Sequence, residues 1–139
     1  MIARYKVTET MGKKVLIIED EPDTLTLLTT ALGLAGYETA KAADGQAGVA
    51  LISEFEPDVI ILDVMMPGQS GIEVLNTIKR VFIEPPPVII FSARGRVEDM
   101  VEGMEAGAYK YLVKPVSRDK LLETIKGALA TGRTPAKRP

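Results

Sequence analysis

The 139-residue chain has no cysteine, no histidine and no tryptophan, and only 5% of it is aromatic. Without Cys and His there can be no Cys/His zinc site, no thiol nucleophile, no Ser-His-Asp triad and no phosphohistidine on this chain. A basic excess is also missing: 17 Lys and Arg stand against 19 Asp and Glu, and the pI of 5.3 gives no overall positive field for nucleic acid. No apolar run approaches the roughly 18 residues of a membrane helix, and the first residues, MIARYKVTETMGKK, contain no signal-peptide apolar core. Membrane insertion and export are therefore not expected, and a cytoplasmic location is. The chemistry left is that of carboxylates, hydroxyls and lysines.

What is present has the size and composition of one compact domain: 46% hydrophobic and 26% charged residues, enough for a core without disulfides or structural metal. Met11-Gly12-Lys13 reads as a second plausible start, so residues 1–12 are expected to be a flexible extension. The last nine residues, TGRTPAKRP, carry three bases and no acid, leaving 14 bases against 19 acids and a body near −5. This tail, 131–139, reads as a disordered, solvated end.

Between them, short apolar runs alternate with amphipathic segments. Strands are predicted at Val15 onward (VLIIE), Tyr37–Ala42, Val59–Leu62, Val88–Phe91 and Tyr109–Val113. Five helices fill the intervals. The first has Pro22 in its first turn and ends at Gly36, and the second, third and fifth are capped by Asp44, Ser70 and Ser117. The fourth covers about Val97–Ala106. Residues 37–42, more polar than the other runs, suit a sheet edge. Such alternation predicts an α/β fold, a doubly wound parallel sheet covered on both faces, with ligands at the carboxyl ends of the strands.

At those ends stand Glu19-Asp20-Glu21, then Asp63, Ser92 and finally Lys114-Pro115. Crowded carboxylates repel one another unless a cation intervenes. An oxygen-only, half-open site suits Mg²⁺, for which Mn²⁺ can substitute. Read alone, the EDE run is equally a solvated acidic turn, Lys-Pro a loop mark and Ser92 a cap. Together they describe a site that takes a phosphoryl group onto a carboxylate nucleophile, Asp63, with Lys114 and Ser92 meeting phosphoryl oxygens.

VLIIEDEP, the DGQ turn, PDVIILDVMMPG, the SA pair and GAYKYLVKP occur in that order, and the chain from Lys13 to Ala130 resembles the receiver domains of two-component response regulators. The resemblance implies a flavodoxin-like sheet of five strands in the order 2-1-3-4-5 with five helices, and a receiver spanning 13–130. It makes Asp63 the phosphoacceptor and Glu19 and Asp20 the acidic pair, with Asp20 the direct metal ligand. Met65 matches the position whose backbone carbonyl completes metal coordination. Ser92 and Tyr111 match the switch hydroxyl and switch aromatic, Lys114 the site lysine, and Pro115 a proline that is typically cis. Departures from the pattern are Ser92 for the commoner Thr, Gln69-Ser70 before Gly71, and Gly48 for Ala, which costs up to about 1 kcal/mol of helix propensity. Pro85-Pro86-Pro87 before the fourth strand is also unusual, and the sequence offers no function for it.

The implied function is phosphoryl transfer to Asp63 from a phosphohistidine on a sensor histidine kinase or phosphotransfer protein. A protein face of the fourth helix, fifth strand and fifth helix would then switch, as a monomer or a phosphorylation-dependent dimer. This makes the chain a signalling phosphoacceptor that catalyses only its own phosphorylation and dephosphorylation. Taken as complete, it would be a stand-alone messenger or phosphorelay intermediate without direct nucleic-acid contact. Taken as a fragment, it would precede a DNA-binding or enzymatic output domain. An aspartyl-nucleophile phosphatase is disfavoured by Met65 where a second Asp is usual, and nucleotide enzymes by the absence of glycine-rich phosphate loops. A phosphorylation-independent interaction module would be expected to lack Asp63 or Lys114.

Overall fold

A computed structural model describes residues 11–131. Strand β1 (Lys14–Ile18) leads to helix α1 (Pro22–Leu34), and β2 (Glu38–Ala42) leads to α2 (Gly45–Phe55). The alternation continues through β3 (Val59–Leu62), α3 (Gly71–Val81), β4 (Val88–Ser92), α4 (Val97–Glu105), β5 (Lys110–Val113) and α5 (Arg118–Leu129). All strand pairs are parallel, and the sheet order is β2-β1-β3-β4-β5, as the resemblance implied. The polar strand β2 lies at the edge, where its backbone needs only one neighbour.

Period-two alternation in the buried strands feeds two separate cores. Leu16, Ile18, Ile60, Leu62 and Ile90 pack with Ile52 of α2 and with Val74, Leu75 and Ile78 of α3. Val15, Ile17, Val59, Ile61 and Ile89 pack on the opposite face with Leu28 and Leu32 of α1 and Leu121 and Ile125 of α5. The caps follow the chemistry read from the chain: Asp44 accepts from Ala47 N, Ser70 from Glu73 N and Ser117 from Lys120 N. None of the helices is long and apolar enough to cross a membrane among the described residues.

Two features without a reason in the sequence acquire one here. Pro85, Pro86 and Pro87 are all buried as the chain enters β4, and Pro87 O accepts from Ile60 N at 3.0 Å. Three successive residues without an N–H can be buried without orphaning donors, which an ordinary loop could not do. At Gly48 a Cβ would stand 2.5 Å from Ile18 Cδ1 and 2.8 Å from its Cγ1. The helix propensity that glycine gives up therefore lets α2 lie close against β1, and alanine there would displace a core side chain.

The extension expected at 1–12 lies outside the described residues up to position 10. At its end Gly12 N donates to Gly36 O at 3.3 Å. The tail beyond 131 likewise lies outside them.

Tyr37, expected in the second strand, stands just before β2 with its ring in the core, and its hydroxyl has no hydrogen-bond partner among the described residues. Burial pushes that phenol up to about 12. A buried, unpaired hydroxyl costs stability, so Tyr37→Phe is expected to be more stable by about 1 kcal/mol, or about 3 °C in Tm, by thermal or chemical denaturation. A loss of stability would show that the hydroxyl has a partner.

Candidate functional site

Register brings the candidates together. Ile18 pairs with Leu62 across β1 and β3, so the next residues, Glu19 and Asp63, leave the sheet side by side, and Asp63 N donates to Ile18 O at 3.0 Å. Ser92 pairs with Val113 across β4 and β5, so Lys114 follows beside it, with Lys114 N donating to Ser92 O at 2.8 Å. Four strand ends thus deliver two acids, a hydroxyl and an ammonium to one rim.

There Glu19, Asp63 and Ser92 are almost wholly buried, at 2%, 5% and 0% exposure. Lys114 Nζ donates to Glu19 Oε2 at 3.1 Å and to Asp63 Oδ2 at 3.4 Å, and it lies 5.0 Å above the centre of the Phe91 ring. The other Asp63 oxygen, Oδ1, accepts from Met65 N at 2.8 Å, a turn in which the side chain bonds the amide two residues on and so fixes the carboxylate's direction. Carboxylate oxygens of Glu19, Asp20 and Asp63 lie within 4.8 Å of one another. Glu19's carboxyl is raised from its ordinary value, by burial first and by the Asp63 charge second, with Lys114 opposing both. The Lys114-Pro115 bond is cis.

The acidic run EDE does not act as a unit. Glu19 Oε1 accepts from Glu21 N at 3.2 Å, while the Glu21 carboxylate turns away to cap α1, accepting from Asp23 N at 2.9 Å and Thr24 N at 3.0 Å. Those donors hold its carboxyl below its usual value. Asp20 stands half-buried in the wall of an open depression of about 450 Å³ shared with Met65, Gly68, Gln69 and Arg94. Oxygen donors alone, with one ammonium and no imidazole or thiolate, form a set suited to a hard divalent cation and a phosphoryl group.

Sequence reasoning passed over Arg94. Its N–H donates to Ser92 Oγ at 3.1 Å, and its carbonyl accepts from the Tyr111 hydroxyl at 2.8 Å. The two switch candidates therefore meet on the peptide groups of one residue. The serine half of this link was foreseeable, because Ser side chains commonly bond the amide two residues on. The tyrosine half spans 17 residues and was not. Burial raises the Tyr111 phenol from its ordinary value, and the Ser92 hydroxyl pulls the other way.

Comparison with known proteins agrees with this geometry. The sequence profile of the response regulator receiver domain matches residues 15–126. The chain is 38% identical over 120 residues to the phosphate regulon transcriptional regulatory protein PhoB of Pseudomonas aeruginosa, covering 86% of this chain and 52% of that one. It is 41% identical over 118 residues to the transcriptional regulatory protein AfsQ1 of Streptomyces coelicolor, covering 85% and 52%. The chain thus spans about half the length of the curated relatives it matches. Among solved structures, a CheY-like receiver domain protein of Methanospirillum hungatei superposes with a TM-score of 0.80 at 30% identity, over 86% of this chain and 95% of that one. A chain of the CheX-CheY-BeF3-Mg²⁺ complex of Borrelia burgdorferi superposes with a TM-score of 0.77 at 29% identity, over 84% of this chain and 89% of that one. Profile, sequence relatives and fold coincide over the same span, and the chain belongs to the response regulator receiver domain family, a family of signalling domains rather than classical enzymes.

Proposed function

We propose that Asp63 is a phosphoacceptor, taking its phosphoryl group from a phosphohistidine on a separate sensor histidine kinase or phosphotransfer protein. The observation that carries this reading is a buried carboxylate aimed by Met65 N–H and flanked by Lys114 and two further acids. An Asp63 oxygen attacks phosphorus, the P–N bond breaks, and the imidazole leaves with the electron pair and takes a proton. Lys114 stabilises charge on the equatorial oxygens, and Ser92 supplies a neutral donor to one of them. Glu19, Asp20, Asp63 and the backbone carbonyl of Met65 would hold Mg²⁺, or Mn²⁺ in its place. When bound, the metal offsets the carboxylate repulsion and the charge on the phosphoryl oxygens.

The aspartyl phosphate carries about one unit of negative charge more than the carboxylate it replaces. Ser92 moves toward it, giving up the Arg94 N–H, and because Tyr111 is bonded to the same residue the change reaches the α4-β5-α5 face. That face exposes Val97, Val101, Met104 and Val113, a surface for a protein target or a second copy. The greater length of relatives named as transcriptional regulatory proteins favours an output through transcriptional regulation over a free messenger. The cytoplasm, where kinase and target would be met, is the proposed location.

Intact-mass spectrometry after incubation with a small acyl phosphate is the direct test. The expected result is a gain of one phosphoryl group that requires Mg²⁺ and reverses on standing. Absence of any gain, with Mg²⁺ binding shown by a rise in Tm, would replace this reading with a phosphorylation-independent interaction module.

A further inference from the structure

Helix α4 differs from its four fellows in how it is held. It has no side-chain cap, since Arg96 occupies the N-cap position, whereas Glu21, Asp44, Ser70 and Ser117 each cap theirs. Its single fully buried residue is Gly103, against Val74, Leu75 and Ile78 in α3 and Leu121, Ile125 and Ala128 in α5. Three of its four large apolar residues, Val97, Val101 and Met104 at i, i+4 and i+7, face outward, and only Met100 is half-buried.

Beneath Gly103 lie a register pair of the sheet, Ile90 of β4 and Tyr111 of β5. A Cβ on Gly103 would stand 2.8 Å from Ile90 Cδ1, 2.9 Å from Tyr111 Cδ2 and 3.2 Å from Tyr111 Cε2. The isoleucine methyl could swing aside, but the tyrosine ring is a rigid plate anchored at its far end by the bond to Arg94 O. The ring also borders a cavity of about 50 Å³ lined by Val64, Ser70 and Ile72 and by Asp99 and Glu102 of α4, room for small displacements.

We infer that Gly103 is a positioning residue for the switch: the notch it leaves in α4 seats the Tyr111 ring, so the orientation of Tyr111 sets where α4 and its exposed Val97-Val101-Met104 stripe stand. The inference rests on the proposed function for its meaning in signalling. The notch itself is a property of the fold. A helix with one buried residue and no side-chain cap is held less firmly than its fellows and yields more readily when the contact under that residue changes.

The test uses the full chain labelled with 3-fluorotyrosine, whose four tyrosines give separate ¹⁹F signals, that of Tyr111 being assigned by its loss in Tyr111→Phe. In Gly103→Ala, without any phosphodonor, the Tyr111 signal is expected to shift while those of Tyr37 and Tyr109 stay. The amides of α4 are then expected to exchange about tenfold faster, with α5 unchanged. A folded Gly103→Ala chain whose Tyr111 signal does not move would overturn the inference. Should that variant fail to fold, Tyr111→Ala decides it: faster exchange confined to α4 supports the seat, and equal acceleration in α4 and α5 overturns it. With acyl phosphate and Mg²⁺, Gly103→Ala should take up phosphoryl within about twofold of the unmodified rate, since it lies apart from the rim, yet show a smaller Tyr111 response. No phosphoryl on either chain would sink the phosphoacceptor reading alone and leave the seat judged by the first measurements.

Discussion

Asp63→Asn is expected to fold normally and to take up no phosphoryl group, its rate falling by at least about three orders of magnitude, the scale of loss when a nucleophile is removed. The asparagine oxygen can still accept from Met65 N, so the loop keeps its shape. The amide carries no charge and its oxygen is a poor nucleophile, so neither attack on phosphorus nor tight cation binding survives. Stability should change by less than about 1 kcal/mol, because the lost contact to Lys114 is offset by relief of the repulsion between Asp63 and Glu19. Glu19 should then titrate closer to its ordinary value, since Asp63 is the second cause of its raised pKa. Intact mass and a denaturation curve on the same preparation check both halves. Undiminished uptake would move the phosphoacceptor elsewhere.

Removing the cation has the opposite balance. Lys114→Met keeps the stem over Phe91 but leaves Glu19 and Asp63 buried, adjacent and unpaired, and is expected to cost about 2–3 kcal/mol at neutral pH. Lys114 is about a quarter exposed, so the figure lies below the roughly 3–5 kcal/mol of a wholly buried pair. The pH dependence identifies the cause. Glu19's carboxyl is already above 4.5 in the folded chain, and losing Lys114, its main opposing influence, raises it further. A carboxyl with a higher folded than unfolded pKa holds its proton more tightly when folded, so stability falls as pH rises through the window between 4.5 and the raised value. The deficit of Lys114→Met should therefore shrink between about pH 7.5 and about pH 5, and Mg²⁺ should shrink it at neutral pH. A deficit equal at both pH values and indifferent to Mg²⁺ would mean that lost packing, not unpaired charge, is responsible.

Much of this was legible in the chain. Four-residue apolar runs ending on Glu19, Asp63 or Ser92 announced buried parallel strands with chemistry at their carboxyl ends, because a strand covered on both faces has no other place for a polar side chain. The strand order came from resemblance, since local pattern says nothing of which strands are neighbours. The run EDE shows the limit most plainly. Three adjacent acids look alike in sequence, yet Glu19 is buried on Lys114, Asp20 borders the open depression and Glu21 caps a helix. Their separation depends on where α1 starts and where β5 delivers its lysine, 95 residues from Glu19.

Gly48 and the three prolines read as costs or oddities, and Gly103 carried no signal at all, for the same reason: their benefit lies in what packs against them. By itself the sequence determined which chemistry is available, through the absence of His and Cys, and the order of elements, through short-range hydrophobic periodicity. The tertiary structure alone decided which acid meets the ammonium, which glycine admits a ring and how Ser92 reaches Tyr111. Those contacts join residues far apart in the chain, and only the register of the sheet and the close approach of helices to it bring them within hydrogen-bonding distance.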